Sequence, residues 1–527
     1  MNAALWRERV GPWLNRRAQQ NVDRLTEYLG GPARRRVVVL LGLVLALNSA
    51  DTSAIGAVSA QLEPALGIGT AKIGLLVTVS SLVGALAALP FGILTDKTRR
   101  VRLLSLSIAL WGAAEVASAF ATSFGMLLVT RLALGAVTGT AAPAVASLTG
   151  DYFPAAERGR IYGYIITGEI VGAGVGIGLA SLVSGALGWR VAFAVLALPS
   201  IALAWALWRN LPEPARGGQS RLAPGATEIV AEADAPRTAS AAGDLDGQAR
   251  SREQGHRDDL LLRQLRERGV EPNEDIVVTT DPGAMTTWQV VRYVLRVRTN
   301  LVIIAATSLG YFFLAGMRTF VVLFARGHFD VGQGAATLLL AVIGAGAVLG
   351  LLVSGRAADR LIARGRISAR VVVAGASYLI AAIVLFPALL LSSVVLSLPL
   401  LILAAAAIAA PNPPLDAAQL DVVPAQLWGR AQGVRTALRN ALEALGPLLF
   451  GLVAGLFVSG GTKLGSSSSE GVILAQAHGL RIAFLLMLAP LAGAGVLLIW
   501  QRRHYAVDVA SADLSERRHG DRVAGAA

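Results

Sequence analysis

Asp51, Arg131, Glu169 and Arg439 each interrupt a long apolar run. A charge at the centre of a membrane-spanning helix costs about 2.5–3.5 kcal/mol on insertion scales unless it is paired or hydrated, so each is a candidate for chemistry. The chemistry open to them is proton exchange at a carboxylate and anion capture by a guanidinium. Asp51, with Asn48 nearly one turn before it, lies about 20 Å into its run, and Arg131 falls at a compatible depth. Protonation of Asp51 would release Arg131, and deprotonation would draw the two together; the alternative is a permanent structural ion pair. Glu169 and Arg439 stand 270 positions apart, each about 13 Å inside its run. Arg435, Arg439 and Glu443 share one helix face. They read either as a charged lining or latch, or as Arg435 reaching the headgroups while Arg439 pairs only with Glu443. Arg318, behind Tyr311-Phe312-Phe313, reads as an anion site or as a cation snorkelling to the surface.

The elements that position these residues are announced by two repeated turns. Phe91 to Arg102 contains Gly92, Asp96, Lys97, Arg99 and Arg100, and it is echoed by Gly355, Asp359 and Arg360, 263 positions on. Gly92 permits close helix approach, Asp96 can cap or pair locally, and Lys97, Arg99, Arg100 and Arg102 hold the turn on the cytoplasmic side. A second turn runs from Asp151 to Arg160 and recurs from Asp421 to Arg430, 270 positions on. Two motifs repeating in one order at nearly one offset imply a duplicated membrane bundle, a pattern typical of secondary transporters.

The composition agrees. The 527 residues are 54% hydrophobic and only 15% charged, against about 25% charged in ordinary soluble domains. The net charge of +13 would suit nucleic acid, but the cations gather between apolar runs, as membrane topology requires, so no nucleic acid partner is expected. With no cysteine and all five histidines outside or at the rims of the runs, no metal site or cofactor is expected. Twelve runs are long enough to span: 37–62, 71–95, 103–121, 126–149, 161–186 and 191–209, then 299–325, 333–354, 369–391, 394–415, 431–459 and 479–500. Both termini fall on the cytoplasmic side of a bacterial inner membrane.

This divides the chain into a basic segment 1–36, a six-helix bundle 37–209, a long loop 210–298, a second bundle 299–500 and a tail 501–527. Trp6, Trp13 and Leu14 among the N-terminal arginines fit either an amphipathic surface helix or a plain basic leader. The loop reads as disordered through Gly255. Two amphipathic helices follow, 258–268 and 288–298, the second lying against the membrane. Pro411-Asn412-Pro413-Pro414 and Asp416 read as the end of span ten rather than as a broken helix lining the cavity. Gly168, Gly172, Gly174, Gly176 and Gly178 lie mid-span with no strand before them, so they serve helix packing rather than phosphate binding, as do Gly135/Gly139, Gly346/Gly350 and Gly451/Gly455.

On these turns, and on Arg131-Leu132-Ala133-Leu134-Gly135, the chain resembles the major facilitator superfamily from about Val37 to Trp500. Within it, Asn48-Ser49-Ala50-Asp51, Pro90-Phe91-Gly92, Asp151-Tyr152-Phe153 and Glu213-Pro214-Ala215-Arg216 make the N-terminal half most similar to the Spinster branch. Thr52 and Thr138 depart from that branch, standing where it usually carries an arginine and an acid. The resemblance implies an all-α fold of two pseudo-symmetric six-helix bundles, alternating access, and export of a lysolipid or sphingolipid.

The expectation is a monomeric, proton-coupled secondary transporter whose partners are protons, membrane lipids and an amphipathic small molecule. No nucleotide-binding loop or catalytic triad is present in the sequence, so an enzyme is not expected. Drug efflux or uptake of a small anionic metabolite is the alternative; the latter predicts Arg131, Arg318 and Arg439 on one cavity. A non-transporting scaffold that recruits partners through 210–298 is more remote.

Overall fold

The computed structural model of the chain describes residues 19–20, 23–24, 26–68, 70–216, 222, 224–228, 260–331, 333–458 and 469–525. Trp6, Trp13, Leu14 and most of the stretch expected to be disordered lie outside the described residues. Among the described residues there is no strand, and twelve helical segments are long and apolar enough to cross a membrane.

The first six are α1 (Pro32–Leu66), α2 (Thr70–Lys97), α3 (Arg100–Ala119), the pair α4 (Phe124–Thr138) and α5 (Ala141–Tyr152), α6 (Ala155–Leu187) and α7 (Trp189–Asn210). Two short helices follow, α8 (Leu260–Glu267) and α9 (Thr287–Arg296). The second six are α10 (Arg298–Phe329), α11 (Gln333–Ala363), α12 (Ala369–Leu390), the pair α13 (Val394–Ala409) and α14 (Asn412–Asp421), the pair α15 (Trp428–Glu443) and α16 (Gly446–Val458), and α17 (Ser469–Gly525).

Spans four and ten are broken at matching points, Gly139-Thr140 and Ala410-Pro411. Proline cannot donate to the preceding turn, so the helix yields there and restarts, with Pro413 and Pro414 tolerated in the first turn of α14. The reading of Pro411 to Asp416 as a helix terminus is therefore corrected: span ten continues to Asp421.

Small residues set how closely the helices approach. A Cβ on Gly168, Gly172 or Gly176 would meet the backbone of Gly42, Ala46 or Ala50 at 2.1–2.4 Å, so α6 lies directly on α1. Gly174 and Gly178 face open space, and so does Gly455; the packing role assigned to them does not hold.

Both loop helices expected from the sequence form, at Leu260–Glu267 and Thr287–Arg296. Their apolar faces are packed on protein, with Leu261 and Leu265 of α8 and Val290 and Val294 of α9 buried in the C-terminal core. The tail is an extension of span twelve, for α17 runs 57 residues, about 85 Å. Its far end clamps the loop: Ser511 and Ser515 hydroxyls accept from Asn273 N–H (2.9 Å) and Val278 N–H (3.0 Å), and Arg518 pairs with Glu274. Glu516 accepts from Ala425 N–H at 2.7 Å.

One end of the bundle pair carries the cation-rich turns at 97–102 and 360–370, the loop helices and the far end of α17; it is called here the basic face. The contacts between the two bundles are made by α2 with α15, α6 with α11, α5 with α15 and α6 with α14. The opposite halves α4, α13 and α16 make their substantial contacts inside their own bundles. Among the described residues the bundles thus meet on the basic face.

Candidate functional site

Two crossings seal the basic face, and they are copies of one another. At the first, a Cβ on Gly92 would lie 2.7 Å from the Gly429 carbonyl oxygen; at the second, a Cβ on Gly355 would lie 2.1 Å from that of Gly159. Only glycine permits this approach. It brings Asp96 to the start of α15, where its carboxylate accepts from Gly429 N–H (2.8 Å), Arg430 N–H (3.0 Å) and Arg430 Nε (2.9 Å). Likewise Asp359 accepts from Arg160 N–H at 2.7 Å, near the start of α6. Asp96 thus caps α15 of the opposite bundle, where exposed N–H groups and the helix dipole favour a carboxylate, whereas Asp359 bonds the second turn of α6. Asp96 was expected to cap or pair locally; its partner is 334 residues away.

Behind each crossing sits a buried arginine. Arg100 Nη1 donates to Asp151, and Arg370 Nη1 donates to Asp421, each pair 51 residues apart in the chain. Arg100 also binds Glu213 (2.8 Å), whose carboxylate accepts from the N–H groups of Arg100 and Val101 at the start of α3. Arg100 is 1% exposed, held by Asp151 and Glu213. Asp421 further accepts from Tyr505 Oη at 2.5 Å and lies 3.5 Å from Arg158 of the other bundle. Arg158 stacks on Trp428, whose ring fills the notch left by Gly150. Arg160's side chain turns to Glu157 (2.8 Å), and Arg360 is exposed and enters no ion pair among the described residues.

Deeper in the N-terminal bundle, Arg131 Nη1 lies 3.0 Å from Asp51 Oδ1 and 3.1 Å from Glu115 Oε1. Its Nη2 donates to Glu115 Oε2 (3.0 Å) and Ser118 Oγ (2.6 Å), and its guanidinium stacks on Phe193 at 4.7 Å. Asp51 and Arg131 were read from the sequence as a pair. Glu115 was not, although a lone acid in an apolar run is the same signal that singled out Asp51. Two buried carboxylates on one guanidinium leave an excess negative charge, and a buried charge without a full partner is costly. Asn48 lies one turn away and is half-buried; its carbonyl accepts from Thr52 Oγ1 at 3.0 Å.

A second charged group brings Glu169 of the N-terminal bundle within electrostatic reach of Arg439 of the C-terminal bundle. Arg439 stacks on Tyr311 at 4.3 Å and donates from Nε to Asn440 at 3.1 Å. Glu443 and Glu169 are within electrostatic reach of Arg439, and Arg318 of Glu443. Among the described residues none of these four enters an ion pair, so Arg439 is not tied to Glu443 along its own helix. Arg435 does not snorkel: it is 2% exposed and bound to Asp416 and to Gln419 (2.9 Å). Of the three arginines expected on one cavity, Arg318 and Arg439 are both within electrostatic reach of Glu443, whereas Arg131 is enclosed in its own triad.

Two repeats of six spans, with crossings and arginine–aspartate pairs repeated between the halves, place the chain beside known proteins. The sequence pattern of the Major Facilitator Superfamily matches residues 41–447. The chain belongs to the Major Facilitator Superfamily. Curated relatives include the 4-hydroxybenzoate transporter PcaK of Pseudomonas aeruginosa, 30% identical over 189 residues, 35% of this chain and 41% of that one. A gallate transporter of Pseudomonas putida is 29% identical over 195 residues, 37% and 43% of the two chains. The probable L-galactonate transporter of Escherichia coli is 26% identical over 176 residues, 33% and 39%. The chain thus aligns with less than half the length of each. Among solved structures, the bacterial homolog of the human lysosomal transporter Spinster, inward-facing and unoccupied, superposes with a TM-score of 0.53 at 19% identity, over 90% of this chain and 98% of that one. The proton:xylose symporter XylE superposes with a TM-score of 0.55 at 14% identity, over 86% and 94%. These neighbours share the fold.

Proposed function

We propose that this major facilitator protein is a proton-coupled carrier of amphipathic organic anions, working by alternating access across a bacterial inner membrane. On this reading the basic face is cytoplasmic and carries both termini. The protein acts as a monomer, since one chain holds both bundles and both charged groups.

The substrate class rests on Arg439. A half-buried guanidinium that enters no ion pair among the described residues, with Glu443 and Glu169 only within electrostatic reach, could be completed by a substrate carboxylate or phosphate. Tyr311 beneath it offers an aromatic wall, and Arg318 a second cation. That 4-hydroxybenzoate, gallate and L-galactonate are the named substrates of curated relatives supports an anion.

Coupling is assigned to Asp51, Glu115 and Arg131. A proton entering the triad neutralises the excess negative charge, weakens the hold of the acids on Arg131 and biases the packing of α1 against α3 and α4. The crossings at Asp96 and Asp359 hold the inside-closed state and part in the inside-open one.

A lipid-like substrate is the second reading, favoured by one observation. The C-terminal bundle encloses an apolar cavity of about 70 Å³ between Met317, Phe324, Leu385, Leu401, Ile408 and Phe484, suited to part of an alkyl chain. Counterflow in proteoliposomes separates the two readings, with 4-hydroxybenzoate, gallate, their methyl esters and a lysophospholipid as the panel. We expect the free acids to exchange, the esters to fail, and Arg439→Gln to abolish exchange. Movement of the lysophospholipid alone would favour the second reading. No exchange of any compound by correctly folded protein would leave the scaffold.

A further inference from the structure

We propose that the outward face of α9 binds the headgroup of an anionic phospholipid. The sequence forces that face outward. Thr286 starts the helix with a reciprocal cap: its hydroxyl accepts from Gln289 N–H (3.3 Å), and the Gln289 side chain accepts from Thr286 N–H (2.8 Å). Val290 and Val294 are buried and fix the rotation of the helix, and Val297 behind them is buried too. What remains is a stripe at one-turn spacing, Trp288, Arg292 and Arg296, all exposed, with the indole 74% exposed. Neither arginine enters an ion pair among the described residues.

The depth of the stripe is also fixed. Val297 alone, with extended backbone, separates α9 from α10, so α9 is the elbow at the membrane end of span seven. That is the headgroup zone, where an indole anchors and guanidiniums meet phosphate. A planar guanidinium binds a phosphate through two parallel N–H donors, and two of them one turn apart can hold one phosphodiester from both sides. The site adjoins the sealed crossing. The carbonyls of Pro282 and Met285, just before α9, accept from Arg430 Nη2 (2.7 Å) and Nη1 (3.3 Å), and the same guanidinium holds Asp96. A lipid seated on α9 would therefore steady the segment that supports Arg430.

The test is native mass spectrometry of the full chain in detergent, titrated with phosphatidylglycerol or phosphatidylcholine of equal chain length. Wild type should retain phosphatidylglycerol in preference to phosphatidylcholine. Arg292→Gln/Arg296→Gln should weaken phosphatidylglycerol retention about tenfold or more. Trp288→Ala should weaken both lipids. Arg364→Gln/Arg366→Gln, which removes two other exposed arginines of the same face, should leave retention unchanged. Equal retention by wild type and Arg292→Gln/Arg296→Gln would overturn the proposal. So would displacement by millimolar inorganic phosphate, which would mark a free-anion site, or an equal loss in the Arg364→Gln/Arg366→Gln control. Thermal unfolding of each variant separates loss of the site from loss of the fold.

Discussion

Asp96 of the N-terminal bundle and Arg430 of the C-terminal bundle meet at 2.9 Å, and no other side chain pairs with the Asp96 carboxylate among the described residues. Charge-assisted hydrogen bonds contribute about 1.5–3 kcal/mol each. Asp96→Asn should therefore lower the ratio of inside-closed to inside-open molecules by about tenfold or more, without unfolding either bundle. The chain has no native cysteine, so a spin-label pair at Arg99→Cys and Arg366→Cys reports the separation directly. The longer distance should grow in the variant; an unchanged distribution would show that the pair does not hold the closed state.

Gly150 tests the same closure by volume rather than charge. A Cβ there would lie 2.1 Å from the Trp428 ring. Gly150→Ala should shift the same spin-label distances toward the open form, and Gly150→Ala/Trp428→Phe should partly restore them, since the smaller ring relieves the overlap.

These crossings show how far the sequence could be read. The 270 offset between Asp151 and Asp421 announced the duplication, and the structure repeats even the arginine behind each, Arg100 and Arg370. The partner of Asp96 was not legible, because nothing local in the chain marks a contact 334 residues away. The burial of Arg100 was not legible, because its neighbours Lys97, Arg99 and Arg102 are exposed, and only Glu213, brought back after span six, encloses it. The apolar faces of α8 and α9 were visible in the sequence, but amphipathicity alone does not say whether lipid or protein covers them. The stacking of Arg439 on Tyr311 needed the packing of span seven against span eleven.

The C-terminal extension should matter to the closed state. Removing residues 511–527 deletes the Ser511, Ser515, Glu516 and Arg518 contacts that hold segment 273–278 and the turn at Ala425. Spans one to twelve stay intact. Limited proteolysis should then cut between 270 and 286 several-fold faster than in the full chain; equal rates would show that the loop is held without the tail.

Substrate capture should respond to Arg439 and Tyr311 differently. Arg439→Lys keeps the charge but loses the planar stack, and should raise KM about tenfold for an aromatic acid, whereas Tyr311→Phe keeps the ring and should change KM less than threefold. Equal effects of the two would place the substrate elsewhere.

On the proposed mechanism the triad of Asp51, Glu115 and Arg131 carries the coupling proton. The direct measurement is accumulation of a transported acid in proteoliposomes with and without an imposed pH gradient, in wild type, Asp51→Asn and Glu115→Gln, alongside gradient-free exchange. Wild type should accumulate the acid when the gradient is imposed. At least one variant should exchange without gradient-driven accumulation, because neutralising an acid of the triad mimics a bound proton. Accumulation that follows the gradient equally in all three proteins would contradict this mechanism and leave the triad a structural lock.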